Sequence, residues 1–563
     1  MINSMKTSSL SPHRSGQRLI IGLSTAFWGI TLHLYWPNNG GSGLSLPMNI
    51  MAWLYAGLIM GGASCLLSRR RWRITTPSLC IIAGTFLLTL LCLLTPAIWR
   101  SEAILVAGAI TGGALFYLVL LQIPLTGKVF TQLLTILWGA SLLECGVFTL
   151  QYLHLPLAQF WEFPWWRDAR PYGIFQQVNL MASFTASGTL LSATLALRTG
   201  ARCRIAIGAG MLLMGFVLHE SQSQTGYLSL FIGWFLLLCC FPARRRLAGL
   251  LLLLILGMAL GECVRRLLSV AIIDHQTSTR TRWEVLRDCW TLFTHHPWMG
   301  SGVGSFPALF LMHFGHTGLS RIAHPHNELA LWLVEGGMVG LAGTACFISA
   351  GFRLWLAGNV WRRACLLCAV PVLIHMLTEY PVWQSTPHWL LLILLMRCAD
   401  RPIKGTQLAG VTTMTIRTSL ALLTLIVIPL LGKTLHIQQQ LTAIERQGEQ
   451  WRLQAQVPPG GWLLRSRYQF DIHMGYLQRY QQTKDERWLN AFRHWASRYV
   501  RVHPDPNVSF TRILIAQHQH DFALARHLAH RFYLEYPKDR RIPWLQDTRR
   551  PFNHRNNEHE QKD

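Results

Sequence analysis

Residues 324–328 read His-Pro-His-Asn-Glu, directly before the apolar run 329–334. Pro325 suits the first turn of a helix, where its missing N–H would have no partner in any case. His326 is therefore expected at a helix N-terminus, where free N–H groups and the positive dipole end favour an anion such as a diphosphate. The same field disfavours imidazolium, so His326 would stay neutral and could accept a proton. The alternative is an interfacial histidine satisfied by backbone groups.

Two further polar segments stand at the edges of apolar runs. Residues 170–182 read Arg-Pro-Tyr-Gly-Ile-Phe-Gln-Gln-Val-Asn-Leu-Met-Ala. Amides that enter a membrane helix need partners, so Gln177 and Asn179 could bind sugar or phosphate oxygens, or could join helices to one another. Glu379 follows His375 at the end of another apolar run and could orient a histidine or an acceptor hydroxyl. It could equally pair with an arginine.

Arginines are frequent in residues 262–326, and they could bind an anionic substrate. A guanidinium can hold a pyrophosphate through two parallel hydrogen bonds. Binding of anionic lipid head groups is the rival use, chiefly for the first two of the set. The arginines concerned are Arg265, Arg266, Arg280, Arg282 and Arg321.

The same segment predicts an amphipathic helix on the bilayer surface. Its expected apolar face comprises Trp283, Leu286, Trp290 and Phe293, and its expected polar face comprises Arg282, Glu284, Arg287 and Asp288. A glycine-rich turn, residues 296–304, follows. Alone such a turn is weak evidence of phosphate binding, because it is more often a tight corner.

The elements that must position these residues are membrane helices. The chain has 563 residues, of which 51% are hydrophobic and 14% charged. A soluble domain carries about 25% charged residues. Apolar runs of about 20 residues, the length that crosses the hydrocarbon core, recur between residues 19 and 432. The sequence predicts an all-α polytopic membrane protein with about 13 transmembrane helices.

The net charge of +25 is explained by topology without nucleic acid. Arginines cluster in every second loop, at 69–73, 198–204, 244–246, 353–363 and 397–404. This is the positive-inside pattern, which makes these loops cytoplasmic. It predicts a multi-pass protein of the bacterial inner membrane with a cytoplasmic N-terminus and a periplasmic C-terminal region.

Four regions are expected. Residues 1–261 and 327–432 form transmembrane helices, and residues 262–326 form a large periplasmic loop that contains the amphipathic helix and the catalytic segment. Residues 433–563 form a small periplasmic α-helical domain, either a tetratricopeptide-like module or a helical domain without a peptide-binding role. The thirteen cysteines lie mostly in apolar runs, and no pair has metal-ligand spacing, so no metal site is predicted.

These residues resemble a known family. His326-Asn327, nine residues and Gly337-Met338-Val339-Gly340 fit the H-N-x9-G-x-x-G motif of the O-antigen ligase and polymerase superfamily. Residues 173–182 resemble the glutamine–asparagine motif of its O-linked oligosaccharyltransferase branch (the PglL type), as does Glu379-Tyr380-Pro381 after His375. Residues 282–306 are similar to the family's large loop. The chain departs from the family pattern at Leu180, where a histidine is frequent, and at Gln224, where an arginine is usual.

The resemblance implies a metal-independent, cofactor-free, inverting transfer of a glycan from undecaprenyl diphosphate. The expected acceptors are Ser or Thr hydroxyls of secreted or pilin-like periplasmic proteins, and membrane lipids are the other expected partner. His326 would activate the acceptor or orient the donor, and Arg282 and Arg280 would neutralise the diphosphate. The expected substrate-binding residues are Gln177, Asn179, Arg170, His324, Arg321, Asn327, Glu379 and Tyr380.

Other functions remain open at the level of sequence. An O-antigen ligase would transfer the glycan to lipid A–core, and a polymerase would extend glycan on glycan. A transporter is disfavoured because the polar residues cluster on one side of the predicted membrane region and no inverted repeat is found. A non-enzymatic scaffold would tolerate the loss of His326.

Overall fold

The structure is a computed structural model and describes residues 12–66, 71–161, 170–273, 276–319, 322–401 and 405–546. These residues form α-helices and one short antiparallel pair of strands. In chain order the elements are α1 (Pro12–Gly29), α2 (Pro47–Leu66), β1 (Arg73–Ile74), α3 (Thr76–Leu94), α4 (Arg100–Gln122), α5 (Gly127–Tyr152), α6 (Val178–Ala196), α7 (Ala201–Ser221), α8 (Gln224–Cys240), α9 (Arg244–Leu267), α10 (Gln276–His295), α11 (Phe306–Phe314), α12 (Glu328–Ala357), α13 (Val360–Thr378), α14 (Pro381–Gln384), α15 (Thr386–Ala399), β2 (Thr406–Gln407), α16 (Gly410–Gln447), α17 (Arg465–Thr483), α18 (Glu486–Tyr499), α19 (Pro506–His518), α20 (Phe522–Glu535) and α21 (Ile542–Gln546).

Within the described ranges, nine helices are long and apolar enough to cross a membrane, namely α2, α3, α4, α5, α7, α9, α12, α13 and α16. The helices α8 and α15 are shorter and apolar. One continuous buried cluster takes side chains from these eleven helices and from α1 and α6. The prediction of an all-α polytopic membrane protein is therefore confirmed, and the number of about 13 spans stays a prediction.

The helix α6 lies in the middle of this bundle and contacts α5, α7, α8 and α13. Every residue from 180 to 196 is buried, although six of them are serine or threonine. Several of these hydroxyls donate to the backbone carbonyl one turn earlier, which satisfies them without water. Small side chains allow close helix packing in a membrane. This explains how α6, although rich in hydroxyl side chains, is nevertheless a core helix.

Helices α10 and α11 lie at one end of the bundle, which we call the loop side. They pack with the first turns of α12 around a second apolar cluster centred on Val285, Cys289 and Leu292. The side of α10 that packs on the protein is not the expected apolar face: Trp283 is 71% and Trp290 60% exposed, so the predicted contact of that face with the bilayer surface stays a prediction. The buried face is displaced by about half a turn, because small apolar residues fit the α12 contact where the tryptophans do not.

A break in α12 divides it into two limbs at Gly337, whose φ is +57°. The glycine-rich turn inserts at this point: Met338 N–H donates to Pro297 O at 2.8 Å, and Ser301 N–H donates to Val334 O at 3.0 Å. A Cβ on Gly337 would meet the backbone of residues 297–300. The amides of the turn that bond here serve helix α12, so the turn acts as a structural clamp.

The C-terminal helices are attached to the loop side. At 38 residues, α16 is about 57 Å long, so it extends well beyond the hydrocarbon core. Its last turns pack against α17, and α17 to α20 follow as successive antiparallel pairs. Leu311 of α11 lies in the core of α19 and α20, together with Ile513 and Phe532.

Candidate functional site

The carboxylate of Glu379 is the meeting point of three distant segments on the loop side. It lies directly after the last turn of α13 and is 4% exposed. Its Oε1 accepts hydrogen bonds from Nη2 of Arg282, at 2.6 Å, and from Nδ2 of Asn179, at 2.7 Å. Its Oε2 accepts one from Nε2 of Gln177, at 2.8 Å. Residues separated by 97 to 202 positions thus form one hydrogen-bonded group, which we call the Glu379 cluster.

The two amides are held in place by helix starts. Gln177 is the N-cap of α6: its Oε1 accepts from Leu180 N–H at 2.6 Å, which leaves Nε2 to face Glu379. The Oδ1 of Asn179 accepts from Ser223 Oγ at 2.5 Å, and Ser223 also caps α8. Gln177 therefore caps α6 with one end of its side chain and binds the carboxylate with the other, whereas Asn179 is held by the residue that caps α8.

His326 lies beside this cluster in the loop before α12, with a φ of +56°. Its neighbour Asn327 caps α12 through Oδ1 and donates from Nδ2 to Leu377 O at 2.9 Å, which ties the start of α12 to the end of α13. The His326 N–H donates to Nδ1 of His324 at 3.0 Å. The His324 ring stacks on Tyr380 at 4.4 Å, and the His326 ring meets the same tyrosine at 5.3 Å.

The protonation states follow from these surroundings. Burial lowers the pKa of His326, and of the two nearby charges Glu379 raises it and Arg282 lowers it. Burial, with His326 alongside, holds the pKa of His324 well below its usual value. For Glu379, burial raises the pKa, but hydrogen bonding to His375 and the charges of His375, Arg282 and His326 bring it below the ordinary value. An ionised carboxylate thus lies beside a neutral His326, whose buried Nδ1 has no hydrogen-bond partner among the described residues.

Arg170 lies close to the cluster. Its Nη1 donates to Ser221 O at 3.0 Å, and burial lowers its pKa while the charge of Glu379 acts in the opposite direction. The guanidinium is thereby held at the end of α7, where the charge of Glu379 reaches it.

Two predicted arginines do not join the cluster in the described structure. The Arg280 side chain is 84% exposed and pairs with Glu284 at 3.1 Å on the outer face of α10. Arg321 lies outside the described residues.

A buried polar chain beneath Glu379 was not predicted from the sequence. The Oγ of Ser183 lies 2.8 Å from Nδ1 of His375 and 3.3 Å from Nε2 of His388, and Nε2 of His375 lies 3.8 Å from Glu379 Oε2. All three residues are fully buried. A histidine inside an apolar run is the signal that could have indicated this chain, since such residues in membrane helices need partners.

No group of three or more His, Cys, Asp or Glu side chains in the described ranges could hold a metal ion. The described chemistry is that of the cluster: a guanidinium and two amides that can bind oxygens of an anionic donor, and a neutral imidazole that can take a proton.

Two family models match the chain. The one described as O-Antigen ligase matches residues 209–345, which include Arg282 and His326. The one described as virulence factor membrane-bound polymerase, C-terminal, matches residues 363–546, which include Glu379 and the described part of the tail. No curated protein matches the sequence.

Proposed function

Because the chain belongs to the O-antigen ligase superfamily of glycan-transferring membrane enzymes, we propose that it is an O-linked protein oligosaccharyltransferase. It transfers a glycan from undecaprenyl diphosphate to Ser or Thr hydroxyls of secreted or pilin-like proteins. The observation that carries the proposal is the Glu379 cluster with the neutral His326 beside it, on the side of the bundle to which the tail is attached.

In the proposed reaction the acceptor hydroxyl oxygen bonds to the anomeric carbon while the bond from that carbon to the diphosphate oxygen breaks. The bonding electrons leave with the diphosphate, and the hydroxyl proton passes to Nδ1 of His326. Arg282 shares one N–H with Glu379 and offers further donors to the diphosphate as charge develops there. Gln177 and Asn179 position the donor, so the enzyme works mainly by alignment and charge stabilisation.

The supporting observation for a protein acceptor is the attachment of the tail. Helices α19 and α20 share a core with α11 of the large loop, so the tail is bound to the segment that also carries Arg282. A helical-hairpin array of this kind is suited to binding polypeptide. The descriptions of the two matching families, a ligase and a polymerase, favour the alternatives in which lipid A–core or another glycan is the acceptor.

The loop side is periplasmic in this proposal, and the membrane is the bacterial inner membrane. The arginine-rich segments 198–204, 244–246 and 353–363 lie in helix ends and short connections at the opposite end of the bundle, which supports this orientation. The N-terminus is then cytoplasmic, and the carrier lipid and surrounding phospholipids meet the protein from within the bilayer.

The proposal is tested by transfer in a bacterial strain that makes a lipid-linked glycan and lacks its own ligases. The chain is expressed with a candidate secreted acceptor, and both that protein and lipid A–core are followed by glycan blot and mass spectrometry. We expect glycan on Ser or Thr of the protein and none in a strain that expresses His326→Ala at the wild-type level. Glycan on lipid A–core alone would assign the ligase function, and longer glycan on the carrier would assign the polymerase function.

A further inference from the structure

A second buried acid lies within the helix bundle and is not itself part of the Glu379 cluster. Glu144 of α5 is fully buried, and its Oε1 lies 2.6 Å from Nδ1 of His33, which follows α1. The other ring nitrogen of His33 lies 2.8 Å from Trp28 O. Ionisable side chains inside a membrane protein are costly and usually functional.

The second oxygen of Glu144 binds the backbone that leads to the site. Its Oε2 accepts from Ile174 N–H at 2.9 Å. Two turns further along α5, the buried Gln151 accepts from Gly173 N–H at 2.9 Å and donates to Gly173 O at 3.2 Å. Gly173 has a φ of +61°, and a Cβ there would collide with Glu144. The segment 172–177 is therefore shaped by polar side chains of α5, and it ends at Gln177.

The hydrogen bonds around His33 and Glu144 determine how many protons the two side chains share. A carbonyl oxygen only accepts, so Nε2 of His33 carries a hydrogen toward Trp28 O. One further proton lies between His33 Nδ1 and Glu144 Oε1. The pair is therefore either imidazolium with carboxylate or imidazole with carboxylic acid, and in both forms it has no net charge. A neutral pair avoids most of the penalty for a buried charge.

We propose that Glu144 and His33 are positioning residues, which hold segment 172–177 so that Gln177 and Asn179 reach Glu379. The role is one of hydrogen bonding to the backbone, and it is exerted from helices that neither family match covers. The effect of these residues on transfer rests on the proposed function, whereas their effect on the conformation of segment 172–177 does not.

Two substitutions distinguish the effect of the hydrogen bonds of Glu144 from the effect of the space that its side chain fills. In Glu144→Gln the amide oxygen can accept from Ile174 N–H and the amide nitrogen can donate to a neutral His33, so all contacts are retained. In Glu144→Leu the volume is similar, but Ile174 N–H and His33 Nδ1 lose their partner. The matched control is Asp400→Asn, since Asp400 is a buried acid bonded to Tyr117 and Thr75 at the opposite end of the bundle.

Backbone hydrogen exchange in nanodiscs tests the holding of the segment without any assay of transfer. We expect peptides covering residues 170–180 to exchange roughly tenfold faster in Glu144→Leu. Wild-type rates are expected in Glu144→Gln and Asp400→Asn. Wild-type exchange in Glu144→Leu would overturn the proposal. If that variant does not fold, a Glu144→Gln variant that folds but exchanges fast would overturn it instead.

The dependence of transfer on pH tests the link to the site. Glu379 faces Arg282 of α10, His326 of the loop, His375 of α13 and Arg170 before α6. Loss of its two amide donors removes hydrogen bonds to the charged form and raises its pKa. In the proposed reaction Glu379 must be ionised to hold Arg282, so in Glu144→Leu the acid limb of the rate should move to higher pH, as in Asn179→Ala, while Glu144→Gln retains the wild-type limb. The positioning role would be refuted if the acid limb stayed in place in Glu144→Leu. It would also be refuted if the limb moved as far in Glu144→Gln as in Glu144→Leu. Absence of transfer in the wild type would refute the proposed function, and hydrogen exchange would still decide the role of Glu144.

Discussion

At the scale of single residues, Glu379 accepts hydrogen bonds from three other residues of the site. We therefore expect transfer to depend on its negative charge. In Glu379→Gln one carboxylate oxygen becomes an NH2 group, so one amide donor meets another donor and Arg282 loses its counter-charge. Removing one partner of a buried ion pair costs about 3–5 kcal/mol. We expect transfer to fall by at least about 100-fold, measured on reconstituted protein with a lipid-linked glycan.

The control for that substitution is Arg280→Gln. The Arg280 ion pair with Glu284 is exposed, and such pairs contribute little. Transfer by this variant should stay within about threefold of wild type, since exposed i,i+4 pairs are worth only about 0.3–0.5 kcal/mol. A large loss in Arg280→Gln with none in Glu379→Gln would reverse our assignment of the two residues.

Arg282 should set the pH range of the reaction. Its positive charge opposes protonation of His326 and favours ionisation of Glu379. In Arg282→Gln the pKa of both groups therefore rises. Because the proposed reaction needs a neutral His326, the acid limb of the rate should move to higher pH, read from initial rates between about pH 5 and pH 8. An acid limb that stays in place while the rate falls would mean that Arg282 acts only in binding.

The sequence could indicate which polar residues matter, but it could not show which of them meet. Gln177, Asn179, Arg282 and Glu379 were each predicted, yet their contact depends on packing between helices far apart in the chain. Arg280 shows the limit of predicting such contacts from sequence. Two positions along a helix correspond to a rotation of about 200°, so a neighbour of a site residue can face away from the site.

At the scale of elements, the broken α12 explains the spacing of the H-N-x9-G-x-x-G motif. Gly337→Ala requires an alanine at a φ of +57° and places its Cβ against the backbone of the glycine-rich turn. We expect loss of thermal stability, of at least about 1–2 kcal/mol from the backbone conformation alone, measured by melting in detergent. Gly351→Ala in the same helix has open space around its Cβ and a helical conformation, so it should melt at or above the wild-type temperature. Equal melting of the two variants would count against the break at Gly337.

The existence of α10 could be predicted from its periodicity, whereas its buried face could not. A pattern with both aromatic and small apolar residues offers two candidate faces, and the neighbour decides between them. Here α12 presents Ala330 and Val334, which pack against Val285 and Cys289 and leave Trp283 outside.

At the scale of the whole molecule, the junction between bundle and tail depends on pH. Burial, and then the charge of Glu445, raises the pKa of Asp471 in α17 to about 8, although Arg467 opposes this. An unfolded chain would release that proton near pH 3.8. The folded form therefore loses stability as pH rises from about 4 to about 8. Asp471→Asn removes this loss, and its melting temperature should be less sensitive to alkaline pH than that of the wild type.

The measurement is thermal unfolding of the purified protein at pH 6 and at about pH 8.5, followed at tail tryptophans. The gain from Asp471→Asn should be larger at the higher pH. A gain that is larger at pH 6 would have the wrong sign for a raised pKa.

The presence of many membrane-spanning helices was predictable because lipid selects for apolar length, which a sequence shows directly. The central position of α6 was not, since its serines and threonines are covered by protein rather than by lipid. The attachment of the tail to α11 also depended on a surface contact, Leu311 with Phe532, that no periodicity records.

The break at Gly337 also makes the position of the site residues less dependent on the thickness of the bilayer. Residues 338–357 are about 30 Å long as a helix, which matches one hydrocarbon core. Helices answer a thinner or thicker bilayer by changing tilt. The limb 328–336 is clamped to the glycine-rich turn and to α10, so a change of tilt below Gly337 need not reach Asn327 and His326. For the proposed transfer reaction, this arrangement would keep His326 aligned in bilayers of different thickness.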